Sequence, residues 1–306
     1  MPRVSILLTC YNHLRFLPAA YESVLAQTFG DCEILAIDDG SQDGTREWLK
    51  EREGGKLRCL FNEKNLGTYA TLNVGVSEAK GEYIAILNDD DLWAPGKLAT
   101  QVALLDSNPR FGLVHTSGWF IDDSGTRHPD PEPMEFPFPH LPSGDVFAKL
   151  IDHNQIIASS VLVRREAFEK CGLFDPSFYG CGDWNMWLRI AAEYEIAFAD
   201  VPLTFYRVHG SNAAWNAEKM NEDGRRIREW ITGWDAVKKR LTTDPDIRAA
   251  YAHNWACLGT EYTWLGRPGE GRRAYLASIK VMPGRIKSYV RWLATFLPKR
   301  TFRRLS

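Results

Sequence analysis

The chain has 306 residues, 44% hydrophobic and 25% charged, with a net charge of −2 at neutral pH. That length suits one large domain with a smaller appendage, and near-neutral charge gives no general reason to expect nucleic acid as a partner. The six cysteines form no C-x-x-C pair, which argues against a zinc knuckle or dithiol centre and fits a reducing cytoplasm.

The N-terminus, MPRVSI, enters a strand almost at once and has neither the apolar stretch nor the cleavage site of a signal peptide. No run of about 18 apolar residues would span a bilayer. A cytoplasmic protein is expected. Residues 4–9 (VSILLT) read as a buried strand, and 16–26 as a helix with Phe16, Leu17, Ala20, Val24 and Leu25 on one face. Strands at 33–37, 57–61 and 83–87 alternate with helices at about 45–51, 69–79 and 96–105. Such repetition implies a parallel sheet covered on both faces, an α/β fold. Ligands of such sheets sit beyond the carboxyl ends of the strands. The polar clusters 9–12, 38–43 and 88–91 each follow a strand.

Residues 112–118 read as a further strand, and 121–142, with six prolines and five acids, as a long irregular loop near the acceptor. A strand at 158–163, a helix at 166–170, a helix at 184–193 and an extended segment at 203–209 follow. From about 221 onward the pattern is helical. The expected division is a larger domain at 1–215, with halves at 1–118 and 119–215, and a helical region at 216–306.

Four anchors carry the chemistry. Asn88-Asp89-Asp90-Asp91 crowds three carboxylates, and a divalent cation would relieve their repulsion while holding a diphosphate. A solvated turn with capping acids ahead of Pro95 explains the same residues. Asp38 and Asp39 open a glycine turn and can accept hydrogen bonds from a base or ribose, or simply lead into a helix cap. Asp183 starts a helix between glycines as a general base or as its cap. Arg207 and His209 can steady a developing negative charge or serve structure.

Taken in order, VSILLTCYN, SVLAQTFGDCEILAIDDGSQDGT, NLGTYATLNVGVSEAKGEYIAILNDDDLWAPGKL, FDPSFYGCGDWNMWLRIA and YRVHGSN resemble the family 2 glycosyltransferases, inverting enzymes with the GT-A fold. The resemblance spans about residues 3–210, and it implies that the domain at 1–215 is catalytic, its first half serving the nucleotide and its second the acceptor. It implies that Thr9, Tyr11 and Asp39 hold the nucleotide base, with Asp38 near the ribose or base. It also implies that Asp89 reaches the ribose or a metal-bound water and that Asp90 ligates Mg²⁺ or Mn²⁺. Asp183 would be the catalytic base, and His209 would face the diphosphate or metal once a loop closes. The chain departs from the family at Asn88, where Asp is common, and at Gly182, where Glu is common. The Q-x-x-R-W signature of processive synthases is absent, so transfer of a single sugar is expected, from a nucleotide-diphosphate sugar (UDP first) to a glycan or lipid-linked acceptor in surface polysaccharide or glycolipid assembly. The alternative is a non-catalytic nucleotide-sugar-binding or scaffold protein on the same fold. No G-x-G-x-x-G follows the first strand, which leaves a dinucleotide oxidoreductase weakly supported.

Near the C-terminus, Trp255, Leu258, Gly259, Tyr262, Tyr275 and Pro283 have the spacing of one tetratricopeptide-like hairpin, or of an ordinary helical hairpin with an aromatic stripe. From Gly271 onward there are ten Lys or Arg and no acid. With Tyr289, Trp292, Leu293, Phe296 and Leu297 among them, residues 286–305 suit peripheral contact with an anionic membrane surface, at the inner face of the plasma membrane, or a solvated basic end.

Overall fold

The computed structural model describes residues 1–297. It divides into two compact units, one of Met1–Val146 with Gln155–Asn216, the other of Phe147–Asn154 with the chain from Ala217 onward.

The first unit is built on an eight-stranded sheet in the order β3-β2-β1-β4-β7-β6-β8-β5. Strands β1 (Val4–Cys10), β2 (Cys32–Asp38), β3 (Leu57–Phe61) and β4 (Tyr83–Asn88) run parallel. Every residue of β1 is buried, and so are all but the last of β4, as strands covered on both faces require. Helices α1 (Leu17–Leu25), α2 (Thr45–Lys50), α3 (Thr68–Glu78) and α4 (Lys97–Ser107) alternate with these strands and with the short β5 (Leu92–Trp93). Register sets the level of the site. Cys10 pairs with Asp38 and Thr9 with Asn88, so the three strands end side by side, and their polar extensions leave the sheet together.

Beyond β4 the sheet becomes mixed. β6 (Phe111–Ile121) and β8 (Glu195–Arg207) pair in parallel, while β7 (Leu162–Arg164) lies antiparallel between β4 and β6. The sequence suggests a strand from 158. Instead Ala158–Ser160 forms a 3₁₀ turn, because Ser159 turns to polar partners: its carbonyl accepts the Trp93 indole N–H at 2.7 Å and its hydroxyl donates to Asp91 at 2.5 Å. β8 starts eight residues before the expected extended segment (203 − 195). Its pairing with β6 shifts register around Ser117, opposite Pro202, and such irregularity hides strand periodicity. At Gly118 a Cβ would lie 1.8 Å from the Thr204 carbonyl oxygen, so only glycine permits the approach. Helices α6 (Arg165–Cys171) and α7 (Gly182–Glu193) complete this unit.

The second unit is helical: α5 (Phe147–Asp152), α8 (Ala217–Gly233), α9 (Asp235–Arg240), α10 (Pro245–Trp264), α11 (Pro268–Val281) and α12 (Ile286–Ala294). Asp244 caps α10 by accepting from the Asp246 and Ile247 amides at 3.0 and 3.1 Å, with Pro245 at the first helical position. α10 and α11 pack through small residues. A Cβ at Gly259 would meet the Tyr275 ring at 2.9 Å, and one at Gly271 would meet Thr263 Oγ1 at 2.3 Å. The Tyr275 and Thr260 hydroxyls bond at 2.8 Å across the same seam. No helix among the described residues is long and apolar enough to cross a membrane.

Candidate functional site

Thr9, Tyr11, Asp38, Asp39, Asp89 and Asp90 all lie where β1, β2 and β4 end. The loop after β1 is tied to the loop after β2. Asn12, in the left-handed region at φ 54°, donates its amide to Ser41 Oγ at 2.9 Å and accepts the Gln42 amide at 2.8 Å. Leu14 donates to Asp43 at 2.8 Å. Thr9 Oγ1 donates to Asn88 at 3.1 Å, and the Tyr11 amide donates to Asp89 Oδ2 at 2.9 Å. Tyr11 is 43% exposed, which leaves its ring open to a planar partner.

Asp38 and Asp39 are buried and well supplied with donors. Asp38 accepts from the Ser41 amide at 3.1 Å and from the Arg46 guanidinium at 3.2 Å. Asp39 accepts from Asn62 Nδ2, the Leu66 amide and the Gly67 amide at 2.9, 2.8 and 3.0 Å. A carboxylate offers about four acceptor positions, so Asp39 has roughly one left for a ligand. Its larger share of work is to hold the 62–67 loop against the strand ends.

The 89–91 cluster is wired differently. Asp91 is fully buried and accepts from Ser159 and, at 2.9 Å, from the Arg207 amide. Burial, and then the charge of Asp90, push its carboxyl well above the usual carboxylate range. Burial also raises Asp89, against the opposing pull of its hydrogen bond to His13. Asp90 Oδ2 lies 3.1 Å from His209 Nε2 and 4.0 Å from His13 Nδ1. His13 Nδ1 is also 3.0 Å from Asp89 Oδ1. Burial lowers the His13 imidazole, but its bond to Asp89 and the charges of Asp89 and Asp90 outweigh that and raise it.

His13, Asp90 and His209 each offer one ligand atom, all within 4.8 Å of one another. The resemblance implied that His209 faces the diphosphate or metal once a loop closes. Here it already faces Asp90, held by its own loop: its Nδ1 lies 2.8 Å from Ser211 Oγ, its amide donates to Asn212 at 2.6 Å, and its carbonyl accepts from the Trp215 indole at 2.7 Å. A second partner on the far ring nitrogen is the usual orientation device of a metal-binding histidine. Two imidazoles and a carboxylate on one point therefore fit a divalent first-row cation. Arg207 is engaged structurally, donating to the carbonyls of Asp90, Asp122 and Asp123 at 2.7, 2.6 and 2.9 Å.

Asp183 is in the first turn of α7, and its Oδ1 accepts the Trp184 amide at 2.7 Å. Gly182 stands where the family commonly has Glu because the Tyr69 ring fills that space: a Cβ there would lie 2.7 Å from it. Tyr206, on β8, was not singled out from sequence. Burial raises its hydroxyl well above the usual range, and the charges of Asp91, Asp90 and Asp183 add to the shift. His13 was missed as well. Its only sequence signal is its place in the loop directly after a strand that ends beside the acidic cluster.

The family described as Glycosyl transferase family 2 matches residues 5–172, more than half of the chain and short of Asp183 and His209. An uncharacterized glycosyltransferase of Rickettsia typhi is 29% identical over 246 residues, covering 79% of this chain and 73% of its own length. One from Nostoc sp. is 30% identical over 234 residues, covering 72% and 69%. Among solved structures, residues 1–349 of S. aureus TarS in complex with UDP-GlcNAc superpose with a TM-score of 0.70 at 15% identity, over 100% of this chain and 90% of that TarS chain. The Pyrobaculum calidifontis mannosyltransferase PcManGT, in complex with GDP-Man and Mn²⁺, gives 0.60 at 19% identity over 99% and 84%. The sheet with its helices is a GT-A fold, and the chain belongs to glycosyl transferase family 2.

Proposed function

We propose that the protein transfers one sugar from a nucleotide-diphosphate sugar, UDP-linked as the first choice, to a hydroxyl of an acceptor, with inversion at the anomeric carbon. The observation that carries this reading is the convergence of His13, Asp90 and His209 at the strand ends, beside the buried Asp38 and Asp39. Thr9, Asp39 with its remaining acceptor position, and the exposed Tyr11 ring receive the base; Asp38 lies near the ribose or base, and Asp89 reaches the ribose or a metal-bound water. Asp90 and His209 would hold a divalent cation, Mn²⁺ or Mg²⁺, which would supply positive charge for the diphosphate.

Asp183 takes the proton of the acceptor hydroxyl. The acceptor oxygen bonds to the anomeric carbon as the bond from that carbon to the diphosphate oxygen breaks on the opposite face, and the diphosphate leaves with the electron pair. Fixing donor and acceptor in register supplies much of the acceleration.

A glycan or lipid-linked acceptor in surface polysaccharide or glycolipid assembly suits this chemistry. So does contact with an anionic membrane at its inner face through the C-terminal helix. Ile286, Tyr289, Val290 and Leu293 fall on one face of α12, and all are at least 41% exposed, as are Phe296 and Leu297 just beyond it; Lys287 and Arg291 lie beside that face. Residues 298–305 of the proposed segment lie outside the described residues.

The test is the anomeric configuration of the product, read by NMR, together with Asp183→Asn. Inverted product and turnover lower by about 10²–10⁴-fold in the variant are expected. Undiminished turnover would remove Asp183 as the base.

A further inference from the structure

We propose that His13 is a direct ligand of the cation, making with Asp90 and His209 a site of two imidazoles and one carboxylate, and that this second imidazole sets a preference for Mn²⁺ over Mg²⁺. The inference rests on the cation reading of Asp90 given above and adds a residue and a selectivity to it.

Geometry comes first. Bonds of about 2.0–2.2 Å from a first-row cation to nitrogen and oxygen put neighbouring ligand atoms about 3 Å apart and opposite ones about 4.3 Å apart. The pairs of His209 Nε2 and His13 Nδ1 with Asp90 Oδ2, at 3.1 and 4.0 Å, fall within those limits. The rings of His13 and His209 stand edge to face with centroids 5.1 Å apart, so the two nitrogens approach one point from different directions.

The placement of His13 is built in. Its loop is pinned on either side of the residue by Asn12 to Ser41 and Gln42 and by Leu14 to Asp43. The ring is only 20% exposed at its side chain. Three residues on, Phe16 packs against His209 at 4.9 Å and carries the guanidinium groups of Arg15 and Arg207 at 4.1 and 4.6 Å from its centroid. One segment therefore presents one histidine and buttresses the other. Asp89 shares the His13 nitrogen at 3.0 Å and keeps the Tyr11 amide at 2.9 Å. Asp89 keeps the Tyr11 amide when the imidazole turns to the cation, which His13 would bind as the tautomer protonated at Nε2, the Nδ1 proton passing to water.

The chemistry then sets selectivity. Mg²⁺ is hard, takes oxygen ligands and gives up its waters reluctantly, whereas affinity for nitrogen sites rises along the first row from Mn²⁺, an ion that also favours oxygen but accepts imidazole more readily than Mg²⁺ does. With His13 included, two of three protein ligand atoms are nitrogen. With His13 reduced to a partner of Asp89, nitrogen and oxygen are balanced and discrimination weakens.

Mn²⁺ alone, titrated into the full-length protein and followed by EPR with pulsed detection of ¹⁴N coupling, tests this, with Mg²⁺ as competitor. In the wild type two imidazole nitrogens couple to Mn²⁺. In His13→Asn, folded by circular dichroism, one remains, Mn²⁺ binds about tenfold more weakly or worse, and less Mg²⁺ displaces it. His13→Asp, which restores a ligand but a hard one, regains binding and shifts the preference towards Mg²⁺. Two coupled nitrogens and unchanged affinity in His13→Asn, or one nitrogen in the wild type, would overturn the role of His13 and leave Asp90 and His209 as ligands. Mn²⁺ binding unchanged in Asp90→Ala would overturn the cation reading itself, and with it this inference.

Discussion

Each unit of the protein holds one aspartate beside two histidines, and the two sets do different things. In the sheet unit, His13 and His209 both approach the same oxygen of Asp90, Oδ2, and their nitrogens gather around one point. In the helical unit, His153 bonds to Oδ2 of Asp152 at 3.0 Å while His253 bonds to Oδ1, so the histidines satisfy opposite sides of the carboxylate. The hydrogen bonds from His153 and His253 hold the Asp152 carboxyl well below the usual range, and its bond to Asp152 pushes His253 up to about 9. The second arrangement is a closed ion pair that fastens α5 to α10. In the first, the three ligand atoms lie within 4.8 Å of one another, the spacing a cation would need. Composition alone does not distinguish them; the direction from which each ring arrives does.

The sharpest break between the two is in turnover. Asp90→Ala lowers it by about 10²–10³-fold, the scale for losing stabilisation of a developing anion, whereas Asp152→Asn leaves turnover intact. Steady-state rates of both variants with a matched donor check this, and equal losses would erase the contrast. Stability reverses the ranking. Asp39 resembles Asp152 in being held by several donors, and Asp39→Ala strands the Asn62 side chain and the Leu66 and Gly67 amides. Denaturant unfolding should register a loss of about 2 kcal/mol or more. Asp152→Asn costs less, about 1 kcal/mol, because its pair is a third exposed. Asp90→Ala costs least, since it relieves the crowding of Asp89 and Asp91.

A pH series isolates the closed pair. His253 is raised above its ordinary value of 6.5, so its contribution is complete below pH about 6.5 and is lost progressively as pH rises through about 9. Unfolding between pH 6 and 10 should show that decline in the wild type and a flatter profile in Asp152→Asn. Matching slopes would mean that the pair does not report on stability.

The parallel strands and their acidic ends are legible from sequence because both signals are local: apolar runs set β1, β2 and β4, and the polar residues that follow them are adjacent in the chain. The antiparallel middle of the sheet is not. β7 has only three residues, Ser159 turns away before it to serve Trp93 and Asp91, and the bulged register of β8 around Pro202 hides its alternation. Segment 147–154 joins the helical unit, although neither its length nor its composition announces a distant partner. At the site, Asp90 and His209 stand out by motif. His13 does not, because its meaning comes from a contact with a residue 77 positions away, as 90 − 13 gives. Asp39 is recognisable by position, but its three donors come from a loop whose path only the folded chain reveals.

The most direct test of the account is calorimetric binding of UDP, dTDP, GDP and CDP with Mn²⁺ and again with EDTA, on the wild type and on Asp90→Ala. The account predicts that one nucleoside diphosphate binds tightly with Mn²⁺, and that binding collapses with EDTA and in the variant. Equal binding with and without the cation, or none to any of the four, would contradict a cation-held donor and favour a scaffold that has kept the fold without the chemistry.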